Sequence, residues 1–114
     1  MITLFGISNC DTIKKTRKVL DTNNIEYTFH DYKKLGCPTA LVKDFLEQFS
    51  HTELINTRGT TWRKIDSEAK ENLSATTAIA LISDNPSMIK RPLIQTETEW
   101  ILGFDEEKLK SLAV

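Results

Sequence analysis

The chain has 114 residues, of which 39% are hydrophobic and 27% are charged, and its formal net charge is -1. This composition predicts one domain spanning residues 1–114 with enough apolar side chains for a buried core. The near-neutral charge excludes a strongly basic surface for direct nucleic-acid binding. No apolar run approaches the roughly 20 residues that cross a bilayer, and no basic and apolar leader opens the chain. We therefore expect a cytoplasmic monomer without a membrane partner.

The first twenty residues organise the predicted fold. A short apolar strand, Ile2 to Phe5, leads through a turn to Cys10, where a helix of about three turns begins. Ile25 to His30 alternates and is rich in β-forming residues, which predicts a second strand. Strand, helix and strand then form a βαβ unit with parallel pairing and a right-handed crossover. Cys10 would lie at a helix N-terminus, where unpaired N–H groups and the helix dipole favour a thiolate.

The middle of the chain is predicted to be mostly helical. Asp31 to Cys37 is predicted to be a polar loop, and Pro38 opens a helix with apolar residues at helical spacing as far as Phe49. After it we predict, in order, short turns over residues 50–62, a weak helix over residues 65–73, and a helix over residues 78–83 with its cap in residues 74–77.

The C-terminal part returns to strands. Leu93 to Gln95 is predicted as the third strand and Glu99 to Leu102 as the fourth. Glu97 and Thr98 between them are short enough for an antiparallel hairpin. Asp105 is predicted to cap a last helix.

Three stretches carry a family resemblance: the opening "MITLFGISNCDTIKKTRKVL", the segment "MIKRPLI" and the ending "WILGFDEEKL". They resemble the arsenate reductase (ArsC)/Spx family, and within it the single-cysteine, YffB-type branch. The resemblance covers essentially the whole chain. It implies an α/β, thioredoxin-like fold with a mixed four-stranded sheet and a helical insert between strands 2 and 3. It also implies that Cys10 is the reactive thiol, with Arg91 near it and a cis peptide bond between Arg91 and Pro92.

The same resemblance gives four of the candidate site residues, whereas Thr12 and Lys14 follow from their positions in the helix turn that begins at Cys10. Cys10 and Arg91 are the expected catalytic residues, and the expected substrate-binding residues are Arg58, Thr12, Lys14 and Pro92. Each cation also has a simpler interpretation, since an arginine in a turn and a lysine on a helix are usually solvated.

The remaining cysteine and the histidines give weaker signals. Cys37 either resolves a disulfide with Cys10 or has no role in the chemistry. His30 and His51 complete no metal-binding spacing, so we expect neither a metal nor a bound cofactor.

Two departures from the family pattern bear on function. Arsenate reductases of this family carry a third arginine shortly after the last strand, whereas here Gly103 and Phe104 follow it and no arginine comes after Arg91. Spx-type regulators often carry a second cysteine three residues after the first, and that position is Ile13 here. The expected site therefore has one thiol.

A mixed adduct on a single thiol must be released by a second thiol from outside. The leading expectation is therefore an oxidoreductase: a monothiol reductase with Cys10 as nucleophile and glutathione as co-substrate. The alternatives are an arsenate reductase and an Spx-like regulator that binds RNA polymerase. The candidate partners are glutathione, a small thiol or oxyanion substrate, glutaredoxin and RNA polymerase.

Overall fold

A computed structural model describes residues 1–113. In chain order the elements are β1 (Thr3–Gly6), α1 (Asp11–Thr22), β2 (Thr28–Asp31), α2 (Tyr32–Leu35), α3 (Thr39–Gln48), α4 (His51–Leu54), α5 (Thr60–Arg63), α6 (Ser67–Glu71), α7 (Ala75–Asp84), a 3-10 helix (Pro86–Met88), β3 (Leu93–Gln95), β4 (Trp100–Leu102) and α8 (Glu106–Lys110). The chain divides into two compact units, one made of residues 1–35 with the residues from 91 onward, the other of residues 36–90. A single domain stays a prediction.

The first unit is built on a mixed sheet with the strand order β2-β1-β3-β4. β1 and β2 are parallel, as the βαβ pattern predicts, while β3 is antiparallel to both β1 and β4. The predicted four-stranded mixed sheet and the α/β class are therefore confirmed. The helices α3 to α7 fall between β2 and β3 in the chain, where the helical insert was expected.

One face of the sheet packs against α1 and α8. Leu4 of β1 and Ile94 of β3 form a buried cluster with Ile13 and Leu20 of α1 and Leu109 of α8. Ile13 and Leu20 are seven residues apart, which puts them on the same side of the helix. Burying each such side chain contributes about 1.5–3 kcal/mol, so this cluster holds α1 in place against the sheet.

The second unit is helical, and α3 packs against α7. Val42 and Phe45 of α3 are buried, as is Ile82 of α7. Ser74 begins α7 with a capping box, in which its hydroxyl accepts the N–H of Thr77 and the Thr77 hydroxyl accepts the N–H of Ser74. The predicted cap at residues 74–77 is therefore confirmed, although the helix already begins at residue 75.

Two predicted segments differ from the structure. The segment predicted as a polar loop, residues 31–37, contains the end of β2 and the one-turn helix α2. This turn forms because the Asp31 carboxylate accepts the N–H of Lys33 at 2.9 Å and because Tyr32 is buried, and the left-handed φ of +78° at Gly36 ends it. The segment predicted as short turns, residues 50–62, contains the one-turn helices α4 and α5.

The remaining boundaries agree more closely. β3 covers the predicted residues, β4 begins one residue later than predicted, and β2 begins at Thr28 because the preceding residues pair with no strand. The Asp105 carboxylate accepts the N–H of Lys108 at 3.2 Å and caps α8, as predicted. No helix among the described residues has the length and apolar character needed to cross a bilayer.

Candidate active site

Strand register brings four chain segments to one end of the sheet, which we call the Cys10 end. Gly6, the last residue of β1, pairs with Asp31, the last residue of β2. Leu93 begins β3 opposite Phe5, and Leu102 ends β4 opposite Leu93. The Cys10 end therefore carries residues 7–10, the start of α2, residues 91–92 and residues 103–105.

Cys10 is the N-cap residue of α1, as predicted. Its backbone is extended, and its carbonyl accepts the N–H of Lys14 at 2.9 Å, the first hydrogen bond of the helix. The N–H groups of residues 11–13 therefore have no acceptor within the helix. The thiol is free, half-buried and makes no capping hydrogen bond of its own. The thiol thus belongs to the residue that precedes these unpaired donors, at the end of the helix that attracts anions.

The close approach of β1 and α1 fixes this turn. A Cβ atom built on Gly6 would lie 2.5 Å from Cδ1 of Ile13 and 2.8 Å from Cγ1, so only glycine leaves room for the isoleucine. Ile13 is fully buried in the core of the first unit. The position three residues after Cys10 is therefore a packing position in this chain, and the turn carries one thiol.

The segment before β3 and the segment after β4 are joined at the Cys10 end. The Arg91–Pro92 peptide bond is cis, as the resemblance implies, and Pro92 is buried. The Pro92 carbonyl accepts the N–H of Gly103 at 2.9 Å, and Gly103 has a left-handed φ of +95° that suits glycine. Phe104 follows, and the Lys15 ammonium lies 4.0 Å from the centre of its ring. The Lys15 cation of α1 thus contacts the segment that follows β4.

The structure places four of the predicted site residues besides Cys10 in the first unit. Pro92 is buried, Arg91 and Thr12 are half-buried, and Lys14 is exposed. The Thr12 carbonyl accepts the hydroxyl of Thr16 at 2.8 Å, and the Thr12 N–H is one of the unpaired donors at the start of α1. The roles assigned to these residues stay predictions.

Two other residues singled out from the sequence lie in the second unit. Arg58 is exposed, and its N–H donates to the side-chain oxygen of Asn56 at 3.2 Å. Cys37 is buried, and its carbonyl accepts the hydroxyl of Ser83 at 2.7 Å. Burial raises the pKa of the Cys37 thiol to about 11. Cys37 is therefore protonated at neutral pH, which does not favour attack on a disulfide.

A cluster formed by Arg17, Tyr27 and Phe29 was not predicted from the sequence. Arg17 Nε donates to the Tyr27 hydroxyl at 3.0 Å, and the guanidinium carbon lies 4.6 Å from the centre of the Phe29 ring. These residues line a groove of about 820 Å³. The one available signal was spacing, because Arg17 follows Cys10 by seven residues and so lies on the same side of α1.

No group of three or more histidine, cysteine, aspartate or glutamate side chains that could hold a metal ion occurs within residues 1–113.

Comparison with known proteins gives a consistent set of relatives. The model of the ArsC family matches residues 5–112. An uncharacterised protein of Haemophilus influenzae is 40% identical over 111 residues, which cover 97% of each chain. The solved structure of the YffB protein has a TM-score of 0.93 and 34% identity, with 100% of each chain covered. The global transcriptional regulator Spx of Streptococcus mutans is 30% identical over 116 residues, which cover 97% of this chain and 82% of Spx.

Proposed function

Since the chain belongs to the ArsC family, we propose that it is a glutathione-dependent thiol reductase with Cys10 as its nucleophile. The observation that carries the proposal is a free thiol at the start of α1, with the buried Ile13 at the position where a second thiol would resolve it. Cys37 is the only other cysteine in the chain, and its burial and raised pKa make it a poor resolving thiol. The thiol that completes the reaction therefore comes from another molecule. Glutathione is abundant in a reducing cytoplasm, where we expect the protein to act.

The reaction consists of two thiol–disulfide exchanges. The Cys10 thiolate attacks the glutathione sulfur of a mixed disulfide, a Cys10–glutathione disulfide forms, and the substrate leaves as a thiolate that takes up a proton. A second glutathione thiolate then attacks this new disulfide, glutathione disulfide leaves, and the Cys10 thiolate is restored. In the net change one free glutathione is consumed, the substrate thiol is released, and the glutathione of the mixed disulfide leaves joined to the free one as glutathione disulfide. A glutaredoxin could replace glutathione in the second exchange.

The Cys10 end of the sheet offers groups suited to the anionic forms of these species. The N–H groups of residues 11–13, including that of Thr12, have no acceptor within the helix and suit an anionic group of the substrate. Arg91 belongs to a segment at this end and Lys14 to the first turn of α1, and both cations suit the carboxylates of glutathione. The buried Pro92 fixes the backbone beside Arg91. Arg58 is assigned to substrate binding by the resemblance alone.

The test is the glutathione-dependent reduction of a small glutathione mixed disulfide by three proteins. Cys10→Ser removes the nucleophile and is expected to abolish activity above the uncatalysed rate. Cys37→Ser is the matched control, because it also removes one thiol, and we expect it to retain full activity. Mass spectrometry of the Cys37→Ser protein treated with glutathione disulfide should show one added glutathione. Equal rates for wild type and Cys10→Ser would reject the proposal.

Arsenate is a second candidate substrate, which the match to the ArsC family supports. Its reduction to arsenite takes two electrons, which two glutathione thiols supply as they form one disulfide. Arg91 would hold the oxyanion without a third arginine after β4, and Arg58 is assigned to it by the resemblance alone. We expect slow turnover of arsenate relative to the mixed disulfide, measured as glutathione disulfide formed at equal substrate concentrations. A higher kcat/KM for arsenate would make arsenate reduction the principal activity.

Binding to RNA polymerase is a third candidate, which the 30% identity to Spx supports. Such binding does not require the thiol, so Cys10→Ser should bind polymerase as well as the wild type does. The measurement is a pulldown with purified polymerase at micromolar concentration. Recovery of no polymerase would reject this candidate and leave the reductase proposal intact.

A further inference from the structure

Arg17 is held in a fixed position at the surface of the first unit. Its Nε–H donates to the Tyr27 hydroxyl at 3.0 Å, and its guanidinium lies over the Phe29 ring at 4.6 Å. Tyr27 and Phe29 are two residues apart in extended chain, so both side chains point to the same face, and both pack against the buried core of the unit. A guanidinium fixed in this way loses less side-chain freedom on binding than a solvated one.

The guanidinium has donors left for a ligand. It carries five N–H groups, of which the contact with Tyr27 uses one. None of the ion pairs among the described residues involves Arg17. Asp21 and Glu26 line the same groove, but both lie at its end away from Cys10. A free carboxylate is the natural partner for the remaining donors when it approaches from the Cys10 side.

The distance between Cys10 and Arg17 follows from the helix, and the sheet shows that Arg17 lies back from the Cys10 end. Seven residues of α-helix rise by about 10.5 Å and return to the same side of the helix. Phe29, under the guanidinium, pairs with Leu4, which precedes Gly6 at the Cys10 end by two residues, or about 6.6 Å of strand. Cys10 and Arg17 are therefore separated by about 10.5 Å along α1, which an extended peptide spans with about three residues.

The neighbouring strand suits an extended peptide. β2 is the edge strand of the sheet, with no strand beside its outer side among residues 1–113. Main-chain groups on the outer side of an edge strand pair readily with a peptide. The groove of about 820 Å³ borders the start of this strand, and Tyr27, Thr28 and Phe29 are among its lining residues.

From these observations we propose that Arg17 binds an acidic side chain of the protein substrate, about three residues from the cysteine whose disulfide Cys10 attacks. The substrates would be glutathionylated protein segments that are extended and acidic beside the cysteine. This inference rests on the proposed reductase function. It adds a specificity for the protein part of the mixed disulfide, distinct from recognition of glutathione.

The experiment uses glutathionylated peptides that differ in one residue. Each pair carries glutamate or glutamine at the third position before or after the cysteine. The measured quantity is the ratio of kcat/KM for the glutamate peptide to that for the glutamine peptide, at low ionic strength. We expect a ratio of about five for the wild type on one side of the cysteine, which corresponds to one partly exposed ion pair. Salt should reduce the ratio.

Three variants locate the effect, of which Arg17→Gln and Lys18→Gln each remove one positive charge. Arg17→Gln is expected to bring the ratio to about one, and Arg17→Lys to restore part of it. Lys18→Gln removes the neighbouring positive charge and should keep the wild-type ratio. A wild-type ratio of one, a ratio unchanged in Arg17→Gln, or an equal loss in Lys18→Gln would each overturn the proposal. A higher KM for glutathione in Arg17→Gln with an unchanged peptide ratio would also overturn it, by assigning Arg17 to glutathione.

A binding measurement separates this inference from the proposed function. Fluorescein-labelled forms of the same glutathionylated peptides are titrated with Cys10→Ser protein, which cannot react, and binding is followed by anisotropy. Tighter binding of the glutamate peptide, lost in Cys10→Ser/Arg17→Gln, supports the subsite even if the wild type proves inactive as a reductase. Equal dissociation constants for the two peptides overturn the subsite whatever the activity.

Discussion

Gly6→Ala tests whether close packing of β1 on α1 positions Cys10. The added Cβ would lie 2.5 Å from Cδ1 of Ile13 and 2.8 Å from its Cγ1, both far inside van der Waals contact. Ile13 is fully buried, so its side chain cannot swing into solvent to make room. Either the isoleucine leaves its preferred rotamer or the first turn of α1 moves away from the sheet. The second response would displace Cys10, three residues earlier on the same turn.

The expected loss of stability is the difference of two effects. Overpacking a core by one methyl group costs about 1–3 kcal/mol. Replacing glycine by alanine restricts the unfolded chain, which raises the free energy of unfolding by about 0.4–1 kcal/mol where the folded backbone permits alanine. The backbone at Gly6 is ordinary strand, so this gain applies. The net expectation is a decrease of about 1–2 kcal/mol in the free energy of unfolding.

The assay is denaturant unfolding followed by circular dichroism under reducing conditions, for a double-mutant cycle with Ile13→Val. Ile13→Val removes Cδ1 and should cost about 0.5–1.5 kcal/mol alone but less in the Gly6→Ala background. Ile94→Val is the matched control, since Ile94 is equally buried but supplies none of the three atoms nearest to the added Cβ, and its cost should be the same in both backgrounds. Wild-type stability in Gly6→Ala, or additive effects with Ile13→Val, would refute the argument.

Three further changes have outcomes that follow from single contacts. Burial raises the pKa of Cys37 from 9.0 to about 11, so between these pH values the unfolded state loses the thiol proton while the folded state keeps it. The free energy of unfolding is therefore unaffected by this group below pH 9 and should fall by about 2 kcal/mol by pH 11. The measurement is urea unfolding of the wild type relative to Cys37→Ala. Ser74→Ala removes the hydroxyl that accepts the Thr77 N–H and should lower the unfolding free energy by about 1 kcal/mol, with Ser74→Asp close to wild type. Lys15→Gln should cost about 0.5 kcal/mol in wild type and nothing in Phe104→Leu, because the ammonium lies over that ring.

Local signals in the sequence were sufficient for much of the first unit. The N-cap position of Cys10, the cap at Asp105 and the span of β3 each depend on residues close together in the chain. The parallel pairing of β1 and β2 followed from one helix between two strands. The cis bond before Pro92 is different, because an X-Pro pair alone is cis in roughly one case in twenty and only the family resemblance indicated it.

The features that were missed depend on packing or on distant contacts. The helix α2 is one turn long, too short for a periodic pattern, and it exists because Tyr32 is buried and Asp31 accepts a main-chain N–H. The contact between Arg17 and Tyr27 joins residues ten apart on different elements, so no local pattern reports it. Arg58 shows a different limit of prediction from sequence. The family resemblance identified this residue but did not indicate which groups surround it.

The packing of Ile13 explains why a one-thiol mechanism suits this chain. The side chain at that position fills the space between α1 and β1 that Gly6 leaves open. Replacing Ile13 by cysteine would remove carbon atoms that are packed in the core. Like other large-to-small substitutions, this change would lower the free energy of unfolding by roughly 1 kcal/mol or more. Cys37 offers no substitute, because its burial keeps it protonated at neutral pH. If Cys10 forms a mixed disulfide, the thiol that releases it must therefore diffuse in, and the site must remain open to a second molecule after the first has reacted.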